Sequence, residues 1–309
     1  MENKRIVVTG GVGFLGTHIV AELRAQGYND VSVPRSREFD LRTLPGIQGM
    51  LSEFKPQIII HAAAHSGGIG LNKAKPAELF YDNAIMGIML MDAAYRAGVE
   101  KFVQIGTVCE YPKFTPAPFT EDNLWNGYPE ETNAPYGIAK KALLIQGQAY
   151  RQQYGFNVIH LLPVNLYGPG DNFNTNSSHV IPALINKFSK AKRENLPEVK
   201  VWGTGNATRE FLYVEDAAKA IVRAMKFYSG PEPINIGSGG SLSIAALANL
   251  IAAKIGYKGS IVFDPSEPDG QPNRCLATLE AWKQFGFLAE TSLETGLDKA
   301  IDSYYNREL

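Results

Sequence analysis

An apolar run, Arg5 to Thr9, opens directly into Gly10-Gly11-Val12-Gly13-Phe14-Leu15-Gly16, and a helical pattern continues to about Arg24. Glycines at 10, 13 and 16, after a strand and before a helix, restrict the fold more than any other feature. The turn needs backbone freedom, and a pyrophosphate has to come close to it. The helix N-terminus then offers unpaired N–H groups and a favourable dipole to phosphates. This pattern predicts the first strand, turn and helix of a dinucleotide-binding fold.

Strand and helix alternate from there, which predicts a Rossmann-like, doubly wound parallel sheet. Val31-Ser32-Val33 is the second strand. Pro34-Arg35-Ser36-Arg37 follows it, where an acidic residue would bind the ribose 2′-hydroxyl of NAD. Arg35, Ser36 and Arg37 suit a 2′-phosphate instead, so NADP(H) is expected, with Asp40 and Leu41 near the adenine. Gln57 to Ala64 is a third strand that ends in the small residues Ala62, Ala63 and Ala64, against which a cofactor can lie. His61 and His65 flank that end and read as structural. Ser66 to Asn72 reads as a flexible loop able to close over a sugar. Pro76 suits the first turn of a helix. Along that helix Phe80, Ala84, Ile88, Met91 and Tyr95 form an apolar stripe, suited to packing or to a homodimer interface.

A fourth strand, Lys101 to Gly106, delivers Thr107 to its carboxyl end, where ligands bind in open α/β sheets. Pro135-Tyr136-Gly137-Ile138-Ala139-Lys140 begins a helix. Positions four apart share a face, so Tyr136 and Lys140 point the same way. An ammonium beside a phenol lowers the phenol's pKa and equips it to exchange a proton with a substrate oxygen. Thr107 can share that oxygen, and Cys109 is a second acid or base nearby.

The chain has 309 residues, 45% hydrophobic and 20% charged, with a net charge of -1. That excludes a global field for nucleic acid or an anionic membrane. Cys109 and Cys275 make no disulfide framework, and the N-terminal apolar run is too short for a signal peptide, so a cytoplasmic protein is expected. No membrane span and no metal are expected.

Several runs further along carry a resemblance. They include Gly67-Gly68-Ile69, Cys109-x-Tyr111-Pro112-Lys113, Asn165-Leu166-Tyr167-Gly168-Pro169-x-Asp171-Asn172-Phe173, Ser178-His179-Val180-x-Pro182, Val201-Trp202-Gly203-x-Gly205, Arg209-Glu210-Phe211 and Asp269-Gly270. With the glycine turn, Thr107 and Tyr136-x-x-x-Lys140, the chain resembles the extended short-chain dehydrogenase/reductase family, and within it the GDP-L-fucose synthases.

The resemblance implies NADPH-dependent 3,5-epimerisation and 4-reduction of a GDP-4-keto-6-deoxy-hexose, or the same chemistry on a related GDP-sugar such as a keto-heptose. Thr107, Tyr136 and Lys140 would carry hydride transfer, and Cys109 and His179 epimerisation. Pro163, Asn165, Leu166 and His179 would join the glycine-turn residues at the cofactor. Asn165, Val180, Lys187, Trp202, Arg209 and Asp269 would hold the substrate. The implied organisation is a nucleotide domain of 1–165, with 208–240 returning to it, and a smaller α/β substrate domain of 166–207 and 241–309. Thr107, Glu110, Lys187 and Glu267 stand where the fucose synthases usually have Ser, an aliphatic residue, Arg and Lys.

Overall fold

The structure, a computed structural model, describes residues 4–174, 177–267 and 269–307. Thr175 and Asn176 of the expected 171–178 loop lie outside the described residues, as does Pro268. The nucleotide half runs β1 (Ile6–Thr9), α1 (Phe14–Ala25), β2 (Val31–Ser32), α2 (Leu44–Phe54), β3 (Ile58–His61), α3 (Ile69–Ala74), α4 (Pro76–Arg96), β4 (Lys101–Ile105), α5 (Ala134–Tyr154) and β5 (Asn157–Pro163). Then come β6 (Asn165–Tyr167), α6 (Val180–Arg193), β7 (Glu198–Trp202), β8 (Thr208–Tyr213), α7 (Val214–Phe227) and β9 (Ile234–Ile236). The chain ends with β10 (Ser241–Ser243), α8 (Ile244–Ile255), β11 (Ser260–Asp264), α9 (Leu279–Phe285) and α10 (Leu293–Tyr305).

Six strands form one parallel sheet in the order β2-β1-β3-β4-β5-β9. The order reverses beside β1, so a crevice opens between the carboxyl ends of β1 and β3. Strands β3 and β4 are buried on both faces and rich in Ile, Val and Phe, as a covered parallel sheet requires. One apolar core packs α1 and α7 on one face, and a second packs α2, α4 and α5 on the other. A third core gathers α6, α8 and α10 around β7, β11 and β8.

Three expectations change. The 208–240 return divides: β8 is the middle strand of a separate three-stranded sheet with β10 and β6, and only α7 and β9 rejoin the large sheet. The cause is β6, which leaves the large sheet after Val164 and offers its edge to β8. The expected flexible loop contains the helix α3, and the Gly68 N–H donates to the Ser177 carbonyl at 3.0 Å. The apolar stripe on α4 also divides. Leu79, Gly87, Leu90, Met91 and Ala94 are buried, whereas Phe80 and Ile88 are exposed beside Tyr81. Gly87 sets this rotation, because a Cβ there would stand 2.2 Å from Leu143 Cδ1 on α5.

Candidate active site

The glycine turn builds the first wall. Gly10 has φ +70°, and a Cβ on it would lie 2.7 Å from the backbone of Ala63. Only glycine takes this conformation cheaply while the chain after β3 passes so near. Helix α1 follows with no side-chain cap and no acidic residue in its first turn. Its N–H groups and dipole face the crevice unopposed. These features fit a dinucleotide's pyrophosphate.

Strand β4 ends at Ile105, and Thr107 caps a short 3-10 turn, Val108–Glu110. The Thr107 hydroxyl accepts from the Cys109 N–H at 3.2 Å. Helix α5 then crosses this turn at contact distance, since a Cβ on Gly137 would sit 2.2 Å from the Cys109 carbonyl oxygen. That approach places Tyr136 beside Cys109. Lys140, one turn on, is buried and donates to the Ile105 carbonyl at 3.1 Å. Its ammonium lies 6.0 Å from the centre of the Tyr136 ring.

Electrostatics here differ from the sequence expectation. Burial pushes the Tyr136 phenol well above its ordinary pKa, and the negative charges of Cys109 and Glu110 add to the shift. Burial also brings Lys140 down to about 8, with Glu110 acting against it. Burial therefore dominates at the phenol, and Tyr136 keeps its proton.

The opposite wall comes from the C-terminal half. His179 precedes α6 without capping it by its side chain, and its imidazole pKa is lowered by burial and then by Arg274. Arg209 on β8 donates to the carbonyls of Thr208 at 2.8 Å and Asp269 at 2.7 Å. Burial, then repulsion from Arg274, brings it down to about 9. Lys187 lies over the Trp202 ring at 5.6 Å and donates to the Lys200 carbonyl. Burial and the neighbouring Arg274 weaken the hold of Arg209 on its charge, and an anion bound beside it would restore that hold. That is the electrostatic condition for binding one.

A single cleft of about 890 Å³ joins both walls. Every residue expected from the sequence to act in catalysis or to bind cofactor or substrate lines it except Arg35 and Arg37. Those two are exposed on the 35–39 turn, where Arg37 pairs with Glu38 at 3.1 Å. The turn points them to solvent, whereas Ser36 and Arg42 line the cleft. Arg42 forks onto Asp40 at 3.0 and 2.9 Å, which holds that carboxyl below its usual range. His61 is structural: it is buried against the Thr9 hydroxyl at 2.7 Å and held down to about 3, chiefly by burial.

Sequence reasoning missed Arg42, Asn133 and Arg274. Asn133 accepts from the Cys109 thiol at 3.7 Å and from Asn72 at 2.8 Å, while its amide NH2 donates to the buried Glu130 carboxylate. Because a carboxylate only accepts, this network fixes which way the amide faces. Asn133 stands one turn before Tyr136, a spacing that a search of the helix start would have found. Arg274 donates to Asn165 at 3.2 Å and to Gln271 at 3.2 Å. No local pattern marks it, since only the tertiary fold brings the 269–275 segment to the cleft.

Known proteins resemble this chain in sequence and fold. A GDP-L-fucose synthase of Sinorhizobium fredii is 43% identical over 304 residues, covering 98% of this chain and 96% of that protein. The crystal structure of a GDP-6-OMe-4-keto-L-xylo-heptose reductase from Campylobacter jejuni superposes with a TM-score of 0.93 at 27% identity, covering 100% of this chain and 99% of the other. A GDP-mannoheptose C4 reductase from Campylobacter jejuni, with NADP bound, gives 0.88 at 28% identity, covering 99% of each chain. The profile that describes the NAD dependent epimerase/dehydratase family matches residues 6–237. The glycine turn, the Tyr136–Lys140 helix and the long shared length agree, and the chain belongs to the NAD dependent epimerase/dehydratase family.

Proposed function

We propose that the protein is an NADPH-dependent epimerase/reductase that converts GDP-4-keto-6-deoxy-D-mannose to GDP-L-fucose. One observation supports this most: Cys109 and His179 share a single cleft with Thr107, Tyr136 and Lys140. The first pair suits proton exchange at carbon, and the second group suits proton delivery to oxygen.

The 4-keto group acidifies the hydrogens at C3 and C5. Cys109 removes one as a thiolate, and His179 returns a proton to the opposite face. Tyr136 and Thr107 donate to the enolate oxygen formed between these steps. NADPH bound at the glycine turn supplies the hydride for C4. As the ketone is reduced, Tyr136 protonates its oxygen, and the charged Lys140 stabilises the phenolate left behind. Arg209, Lys187 and Arg274 hold the GDP-sugar's anionic end, with Asn165, Val180, Trp202 and Asp269 around it.

The test mixes the protein, NADPH and GDP-4-keto-6-deoxy-D-mannose and follows loss of NADPH absorbance. Folded protein that binds NADPH and consumes none would overturn the reading. A second reading, the same chemistry on a GDP-keto-heptose, is favoured by the likeness to the heptose reductase. Equal turnover of both sugars, or preference for the heptose, would select it.

NADP(H) over NAD(H) now rests on Arg42 and Ser36. Arg42→Ala is expected to weaken NADPH binding about tenfold or more in a fluorescence titration, with NADH changed little. Loss of both affinities alike would remove Arg42 from 2′-phosphate recognition. We further propose a cytoplasmic homodimer through α4 and α5, where Phe80, Tyr81, Ile88 and Ile145 are exposed. The nucleotide domain in this reading is 1–165 plus 214–240.

A further inference from the structure

Cys109 comes from the nucleotide half and His179 from the opposite wall, so inverting a carbon between them requires the two walls to stay in register. One short helix touches the supports of both. At its start α3 lies against the chain that leads into His179. The Gly68 N–H donates to the Ser177 carbonyl at 3.0 Å. A Cβ on Gly68 would stand 2.2 Å from the Ser178 carbonyl oxygen, and one on Gly67 would stand 3.0 Å from that of Ser177. The missing side chains let the two backbones meet directly.

One turn on, the Asn72 N–H donates to the Gly68 carbonyl at 3.2 Å, and the Asn72 side chain is buried. Its amide donates to Asn133 Oδ1 at 2.8 Å, the same oxygen that accepts from the Cys109 thiol. Buried Glu130 sets these directions. Its carboxylate takes the Asn133 NH2, so Asn133 turns its oxygen to Cys109 and Asn72, and Asn72 has to present its own NH2. Glu130 is held in turn, accepting from the Thr132 hydroxyl at 2.7 Å and the Thr132 N–H at 3.2 Å.

Mutual satisfaction of two buried amides is the plainer account, but two apolar side chains would fill that space with no polar group to satisfy. A polar pair adds direction: one oxygen fixes the sulfur and anchors α3 at once. Tyr136 and Lys140 take their placement elsewhere, from the contact of Gly137 with the Cys109 carbonyl and from the Ile105 carbonyl that accepts from Lys140.

We propose that α3 is a strut between the base and the acid, with Asn72 as its positioning residue: Asn72 sets the separation of Cys109 and His179, and so serves epimerisation rather than reduction. This role rests on the assignments of Cys109 and His179 made above. It gives the segment 66–72 a task other than closing over a sugar.

The test is Asn72→Leu, which keeps the volume and removes the donor. Asn72 is the better site than Asn133, whose carbonyl accepts from the Gly137 N–H at 2.8 Å and so starts the helix of Tyr136. In deuterated water, isotope entry at C3 and C5 should fall about tenfold or more while NADPH oxidation stays within about threefold of the parent, with reduced sugar that has not been inverted as the product. Equal loss of both rates would mean a merely structural residue and would overturn the proposal. Gly68→Ala loads the strut from its other end and should give the same selective loss. Hydrogen exchange read by mass spectrometry needs no sugar: residues 177–183 should exchange about tenfold faster or more in Asn72→Leu. Unchanged exchange there in the folded variant overturns the strut whatever the substrate is, whereas a parent enzyme that admits no isotope overturns the proposed reaction instead. Should Asn72→Leu not fold, Gly68→Ala carries both measurements, and full isotope entry in it would overturn the proposal.

Discussion

Tyr136→Phe is expected to slow NADPH oxidation by about 10²–10⁴-fold, the usual worth of a positioned general acid. NADPH affinity and the unfolding midpoint should change little. The phenol is pushed up by burial and by nearby negative charge, so it reaches the ketone protonated across the whole working pH range. Phenylalanine keeps the ring and its packing but has no proton to give. Hydride arriving at C4 would then build an alkoxide with only the Thr107 hydroxyl near it. Steady-state rates with the same substrate and a cofactor titration check this together. A rate within threefold of the parent would show that another group protonates the ketone.

The second large effect separates epimerisation from reduction. In deuterated water, Cys109→Ser should stop isotope entering C3 and C5, while NADPH still reduces the ketone without inversion. A serine hydroxyl is a far weaker acid than a thiol, so it supplies no base at neutral pH. The geometry adds a constraint. Asn133 presents its oxygen to the thiol, and Asn72 and Glu130 hold that amide in place, so the sulfur is fixed rather than free to rotate. His179→Gln should give the complementary pattern: exchange at carbon with retention rather than inversion, because proton removal persists and delivery to the far face is lost. Full inversion in either variant would sink the assignment of that residue. Loss of NADPH binding in both would point to a structural role.

Much of the site was legible in local spacing. Gly10, Gly13 and Gly16 had to form a close turn, and Tyr136 and Lys140 had to share a helix face, because both follow from the geometry of one element. Local chemistry also bounds α8, where the Ser243 side chain accepts from the Ala246 N–H at one end and Gly256 takes the left-handed conformation at the other. Arg35 and Arg37 follow the expected strand, yet a turn inside 35–39 leaves them off the cleft that Ser36 and Arg42 line, which strand order alone does not reveal. The α4 stripe split between core and surface because period alone does not say which neighbour fills the groove, and Leu143 packs against Gly87.

The chain's own order of residues determined the parallel nucleotide-binding sheet, the phenol–lysine pair and the candidate acid and base at Cys109 and His179. Those are properties of residues within a few turns of each other, or of motifs whose context travels with them. Tertiary structure alone decided how the charges behave. Burial makes Tyr136 hold its proton, although Lys140 lies one turn away. Glu110 met His160, and Arg209 met Arg274, across 50 and 65 positions of chain. Burial and long-range proximity set the free energy of a charge, and neither is written in the spacing of a motif.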